Sequence, residues 1–349
     1  MPTSQPFTSQ YQKVLRMRKI LILNHQGIGD IIMSIPIYSS IRERYPNAKI
    51  FSTVKTDAAI SLLKGQGLAD DFIKSDFYNI NFFKKVRWFF EILFFNFDLI
   101  VSPANVNIRN SIIIKLLTLT KYNIASHNNL YSLFITDQVN LKKTDNRVEN
   151  NKKLAKKFID NPPNPSLEVI LNPIDVFKKF DIPYESNIVG IHPGCGDLEK
   201  HKRWPSSNYA SLINKINNQQ DAFIVLFGVK NEIDTCEKIL QAVDNCKNII
   251  SIAGLSSINE TIAIISKCSF FISGDSGLMH LAASLNITTF SIFGPTSTNE
   301  LAPRWNNSNV ITNSLSCSPC YPRLPNGCGN PVCMTNINAS QVFERIINI

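Results

Sequence analysis

The strongest constraint on the fold is a rhythm that runs through the chain twice. Short β-rich runs at Lys19–Asn24, Lys49–Val54, Asp71–Lys74, Asp98–Ser102 and Tyr122–Ser126 are spaced by helical patterns such as Asp30–Arg44 and Ile108–Leu119. Strand–helix alternation at this spacing implies βαβ units and a parallel sheet. The rhythm breaks at residues 160–187, where Asn161-Pro162-Pro163-Asn164-Pro165 is followed by Pro173 and Pro183. Beyond it a second series begins: Ile188–His192, Ala222–Gly228, Asn248–Ala253, Phe270–Ser273, Thr288–Phe293 and Asn309–Thr312, with helices at Ser206–Asn217 and Glu232–Val243 among them. An α/β chain of two doubly wound, Rossmann-like domains is expected. The boundaries are a loose extension at 1–18, a first domain at 19–165, a linker at 166–186, a second domain at 187–335 and a terminal segment at 336–349. The last helix, near Asn338 to Ile347, is expected to return to the first domain. Paired domains of this kind bind ligands in the cleft that they face.

Hydrophobic residues make up 44% of the 349-residue chain and charged residues 18%, a globular balance. The formal charge of +9 admits nucleic acid, an anionic membrane surface or phosphorylated substrates as partners. No Arg/Lys block is interleaved with aromatics, so nucleic acid is not expected. Residues 1–18 are polar and the run Ile20 to Leu23 is too short for a signal core. The nearest approach to a membrane span, Phe82 to Phe97, holds Lys84, Lys85, Arg87 and Glu91. A cytoplasmic protein is expected. The aromatic segment Phe77–Phe97 suits a buried helix and equally an interfacial one with snorkelling cations.

Four glycine-bearing loops follow strands. The first is Asn24-His25-Gln26-Gly27-Ile28-Gly29-Asp30. Gly27 and Gly29 let a ligand approach the backbone closely. A dinucleotide fingerprint needs a small residue where Ile32 stands, and Asp30 would repel a pyrophosphate, so a nicotinamide-dependent oxidoreductase is disfavoured. A helix start does favour an ionised carboxylate. Asp30 is therefore a general base for an attacking hydroxyl or a plain helix cap. The second loop, His192-Pro193-Gly194-Cys195-Gly196, precedes Lys200-His201-Lys202-Arg203-Trp204-Pro205. Lys202 is a diphosphate clamp or part of a solvated basic loop. In the third, Gly228-Val229-Lys230-Asn231-Glu232, Glu232 is a ribose acceptor or a helix-start acid.

The fourth loop is Ser273-Gly274-Asp275-Ser276-Gly277-Leu278-Met279-His280. Its unpaired N–H groups suit a phosphate, and Ser276 and His280 share a helical face. Asp275 supplies a carboxylate for neighbouring hydroxyls, which suggests a nucleotide sugar; capping roles for Asp275 and His280 are the alternative. Thr296, in Phe293-Gly294-Pro295-Thr296, lines the same edge. Cys317, Cys320, Cys328 and Cys333 form a further cluster. Zinc and reduced structural thiols both suit it, although the spacing is not a standard zinc knuckle and a local disulfide is less expected.

Together these loops resemble glycosyltransferase family 9, the heptosyltransferases of bacterial lipopolysaccharide. The resemblance runs from Lys19 to about Val342. It is carried by Gly27-Ile28-Gly29-Asp30, His192-Pro193-Gly194, Lys202-Arg203-Trp204-Pro205, Gly228 with Glu232, Asp275 to His280, and Phe293 to Thr296. It implies a GT-B fold whose first domain takes a lipid-linked saccharide and whose second takes a nucleotide-sugar donor. It implies inverting transfer without metal or other cofactor, with heptose from ADP-heptose as the family default. Asp30 would be the base, and Lys202, Glu232, Asp275, Ser276, Gly277, His280, Gly194 and Thr296 would hold the donor. Gly27 and Gly29 would lie near the acceptor. The family often carries a stretch like Cys317-Ser318-Pro319-Cys320, so a metal is not needed to explain it. Gly194-Cys195-Gly196 departs from the hydroxyl residues common there, which leaves phosphate contacts to the backbone. A monomer lying peripherally on the anionic inner membrane is expected. A different nucleotide sugar, or a non-catalytic sugar-nucleotide-binding homologue, is the alternative.

Overall fold

The computed structural model describes residues 17–24, 27–74, 95–104, 106, 108–127, 129–244, 247–305, 307–313, 315–321 and 328–348. Most of the extension at 1–18 and of the aromatic run Phe77–Phe97 lies outside the described residues.

The first sheet contains β1 (Lys19–Ile22), β2 (Lys49–Val54), β3 (Asp71–Lys74), β4 (Leu99–Val101), β5 (Tyr122–Ser126) and β6 (Asp137–Val139). Helices α1 (Ile28–Arg44), α2 (Asp57–Gly65), α3 (Ile108–Thr118) and α4 (Arg147–Ala155) accompany it. The strand order is β3-β2-β1-β4-β5-β6 and every pairing is parallel. β6 is absent from the sequence reading. It has three residues, Asp-Gln-Val, and only Val139 is buried, so it lacks an apolar run. Leu21, Leu23, Phe51 and Ile100 build the core, where Phe51 meets Phe97 edge-on at 5.3 Å.

The second half holds α5 (Pro173–Lys179), β7 (Ile188–His192), α6 (Ser206–Gln219), β8 (Phe223–Leu226), α7 (Ile233–Ala242), β9 (Ile249–Ser251) and α8 (Ile258–Ile265). It continues with β10 (Cys268–Gly274), α9 (Gly277–Ser284), β11 (Thr288–Phe293), α10 (Thr298–Leu301), β12 (Ser308–Thr312), α11 (Val332–Thr335) and α12 (Ala339–Ile347). The order β12-β11-β10-β7-β8-β9 repeats the winding of the first sheet, again wholly in parallel. β7 and β8 are buried along their whole length, as strands covered on both faces must be.

Two compact units result. One is 1–26, 36–141 and 150–163; the other is 27–35, 142–149 and 164–349. The division places the first residues of α1 and α4 with the second sheet, where a boundary at 165 had put them with the first. Within α1 it falls at Pro36, which can donate no backbone hydrogen bond. The C-terminal helix also differs from expectation. Its Val342, Phe343 and Ile346 enter the core of the second unit and it packs on α6, while Trp204 Nε1 donates to Ile337 O at 2.7 Å just before it. Its buried residues form a single stripe that α6 covers, so the helix stays with the second sheet.

Candidate active site

In a doubly wound sheet, ligands bind beyond the carboxyl ends of the strands where the winding reverses. In the second unit that point lies between β7 and β10, with His192 opposite Ser273. The loops after β7, β8, β10 and β11 all leave this edge. They are the loops that carry the residues expected to hold the donor.

Glu232 anchors the arrangement. It is almost fully buried, and its Oε2 accepts from the Val229 N–H at 2.9 Å and from His192 Nε2 at 3.1 Å. Its Oε1 accepts from the Gly196 N–H at 3.2 Å. Burial opposes the charge, yet the His192 contact and the Val229 and Gly196 amides hold the carboxyl down to about 2. A side-chain carbon on Gly194 would overlap this carboxylate, which is why the β7 loop needs glycine there. On the far side of the ring, His192 Nδ1 lies 3.0 Å from Ser276 Oγ, so the loops after β7, β8 and β10 are joined through one imidazole. Ser276 also caps α9, its Oγ accepting from the Met279 N–H at 3.4 Å.

Lys202 comes from a short 3-10 turn, Asp197–Lys202, reached through Gly196 at φ +79°, a value that favours glycine. The lysine is buried, 2.9 Å from Glu199 and 3.1 Å from Asp275, and its ammonium stands 4.4 Å above the Tyr321 ring. Burial works against the charge, but Asp275 and Glu199 prevail and the lysine's pKa is raised. A fixed cation therefore stands where the β10 loop turns into α9. Tyr321 is held there because its N–H and that of Cys320 both donate to Pro295 O at 2.9 Å.

His280 lies on the first turns of α9, buried and stacked on Trp305 at 6.2 Å with the rings 19° apart. Burial pushes the imidazole down to about 4, against the pull of Asp275 and with the help of Arg147, so the ring is neutral at physiological pH. Among the described residues its Nδ1 has no hydrogen-bond partner, and neither has the buried Thr296 Oγ1. Such atoms suit the hydroxyls of a bound ligand.

The start of α1 completes the set. A carbon added to Gly29 would lie 3.1 Å from the His280 ring and 3.2 Å from Gly277 Cα, so two helix starts abut where both residues are glycine. Asp30, one residue on, receives Arg147 Nη1 at 2.6 Å. Gly27 O accepts the Asp30 and Ile31 N–H groups. The geometry brings together Asp30, Gly29, Gly277, His280, Asp275 and Lys202, with Glu232, Gly194 and Ser276 behind them as a buffer of hydrogen bonds. Arg147, Glu199, Trp305 and Tyr321 were not singled out from sequence. Glu199 had a signal in its spacing of three residues from Lys202; the others are brought in by distant segments.

The four C-terminal cysteines, Cys317, Cys320, Cys328 and Cys333, line one cavity of about 360 Å³ with free thiols. Among the described residues no three His, Cys, Asp or Glu side chains are grouped to hold a metal ion.

The family model for glycosyltransferase family 9 (heptosyltransferase) matches residues 96–326, well over half of the chain. Lipooligosaccharide heptosyltransferase 2 of Campylobacter jejuni is 31% identical over 194 residues, covering 50% of this chain and 58% of that protein. The chain spans about half the length, or less, of the curated relatives it matches. Two solved structures share the fold across nearly the whole chain. The Escherichia coli ADP-heptose LPS heptosyltransferase II superposes with a TM-score of 0.76 at 21% identity, covering 95% of this chain and 98% of that one. A glycosyl transferase family 9 protein of Veillonella parvula gives 0.77 at 15% identity, covering 96% and 97%. The two doubly wound sheets are thus those of the GT-B class, and the chain belongs to glycosyltransferase family 9, the heptosyltransferase family.

Proposed function

We propose that this protein is an inverting glycosyltransferase that moves a heptose from ADP-heptose onto a lipid-linked saccharide of the lipopolysaccharide core. The observation that carries the reading is the set of buried polar groups at the β7/β10 switch point, in a chain of this family. Lys202 supplies a desolvated cation, and the α9 start supplies the positive end of a helix dipole beside it. Both suit the diphosphate of a nucleotide sugar. Asp275, neutral His280 and Thr296 offer acceptors and donors for sugar or ribose hydroxyls. Glu232, which accepts three hydrogen bonds from the protein, shapes the loop and keeps acceptor capacity for a ribose hydroxyl.

Asp30 is the general base in this reading. The acceptor hydroxyl gives its proton to the Asp30 carboxylate, and its oxygen forms the new bond at the anomeric carbon. The bond to the diphosphate breaks on the opposite face, and the nucleoside diphosphate leaves with the electron pair. Lys202 and the α9 amides stabilise the charge that develops on it. No step requires a metal. Asp30 lies outside the residues matched by the family model, so its role rests on its place beside Gly277 and His280.

The basic balance of the chain and exposed leucines of the first unit support a peripheral position on an anionic bilayer. Among the described residues no helix is long and apolar enough to cross a membrane.

The test is a thermal-shift screen across nucleotide sugars, followed by product analysis with the best donor. ADP-heptose should stabilise most. Asp30→Ala should lose turnover by about 10²–10⁴-fold while donor affinity stays within a few-fold. Stabilisation by another nucleotide sugar alone would reassign the donor. Donor binding without transfer to any saccharide would make the protein a binding homologue.

A further inference from the structure

Asp30 does not stand alone at the start of α1. Arg147, the first residue of α4, comes from 117 positions away to meet it at 2.6 Å. Asp30 and Arg147 belong to the same compact unit. Both side chains are largely shielded, 19% and 30% exposed respectively. The contact is a charge-assisted hydrogen bond from a planar guanidinium, which fixes direction as well as distance.

The arginine is itself held in place. The preceding residue, Asn146, donates to Ala302 O at 2.9 Å and accepts from the Val148 N–H at 3.1 Å. The following residue, Val148, is fully buried against Met33, Ala283 and Trp305. Met33 is on the next turn of α1 from Asp30, Ala283 is on α9, and Trp305 is the ring under His280. One packing cluster therefore sets α1, α4 and α9 against each other and leaves the Arg147 side chain aimed at Asp30. An ordinary surface ion pair has no such framing, and contributes only about 0–1 kcal/mol to stability.

We propose that Arg147 is the positioning residue of the general base. It binds Oδ1 of Asp30, restricts the carboxylate to one orientation, and leaves Oδ2 to take the proton of the acceptor hydroxyl. The proposal rests on the assignment of Asp30 as base. A misplacement of about 1 Å at such a group lowers turnover by about 10²-fold.

The experiment compares Arg147→Met, Arg147→Lys, Asp30→Asn and the double variant Asp30→Asn/Arg147→Met in the full chain. It measures kcat, KM for each substrate and donor affinity by thermal shift. Arg147→Met is expected to lower kcat about 10- to 100-fold with donor affinity within two-fold. Arg147→Lys and added guanidinium should each restore part of the loss, which a merely structural defect would not allow. On the Asp30→Asn background the same change should cost nothing further, because a residue that acts through Asp30 has nothing left to orient. Unchanged kcat in Arg147→Met beside an inactive Asp30→Asn would overturn the positioning role and leave the base in place. Independent, additive losses, or a loss confined to KM, would overturn it too. Full turnover in Asp30→Asn would overturn the base assignment, and the proposal with it.

Discussion

Glu232 ionises at about 2, where a solvated glutamate ionises at 4.5. Its folded value lies below its unfolded one, so the stabilisation is complete above about 4.5 and is lost as the pH falls toward 2. His280 acts earlier in an acid titration. Its ordinary value of 6.5 drops to about 4 on burial, so between those values the unfolded chain binds a proton that the folded chain refuses. Stability therefore falls with acid in that window, by about 2 kcal/mol between pH 7 and pH 5. His280→Phe keeps a ring on Trp305 and removes the titrating nitrogens. Urea unfolding at the two pH values should show a smaller pH dependence in the variant, by about that amount. Parallel slopes would mean that His280 takes up its proton equally in the folded and unfolded chain, and the depression of its pKa by burial would fall.

The loop between β7 and the turn carrying Lys202 works because it is thin. Gly194 runs so close to Glu232 that a methyl group would occupy the carboxylate's place. Glu232 has little freedom to move, since Val229, Gly196 and His192 all hold it. Gly194→Ala should therefore cost about 1–3 kcal/mol of stability, as overpacking does. Donor affinity should weaken with it, because His192 and Lys202 are placed through the same loop. Denaturant unfolding and donor thermal shift read both effects; an unchanged midpoint would show that the loop has slack. Much of this element was legible in the sequence. The apolar runs of β7 and β10 end in glycine-bearing loops, and a helix start follows each, a pattern that local chemistry dictates. What was illegible depends on distant partners. Arg147 opens a polar helix with Glu149, Lys152 and Lys153 around it, and nothing in that run distinguishes it from a solvated face. Trp305 and Tyr321 sit outside any periodic element, so their stacking under His280 and Lys202 carries no local signature. The final helix has a clear apolar stripe, but a stripe does not name the surface that covers it.

For the molecule as a whole, the unresolved match is between a charge of +9 and the apolar surface of the first unit. Among the described residues, Leu116 and Leu119 at the end of α3 are exposed, Leu119 by 85%, and Leu133 in the 3-10 turn Asn129–Phe134 by 95%. These two segments adjoin, because Lys115 Nζ donates to Phe134 O at 3.0 Å. Leucines kept in water by a fold that buries so many others are suited to an apolar phase. Each one moved from water into lipid contributes about 1.5–3 kcal/mol. In the proposed peripheral position a bilayer with anionic headgroups would satisfy both features, charge drawing the basic chain and leucine insertion holding it. The protein should co-sediment with vesicles containing an anionic phospholipid and much less with purely zwitterionic ones. High salt should weaken the attachment, since exposed charges are screened over a Debye length of about 10 Å at 0.1 M. Leu119→Asp combined with Leu133→Asp should reduce vesicle binding at least about tenfold, the loss of one leucine's transfer energy alone. Transfer to a short, water-soluble acceptor should be unaffected. Sedimentation that is indifferent to lipid charge and to both leucines would remove the bilayer from the account and leave that apolar face for a protein partner.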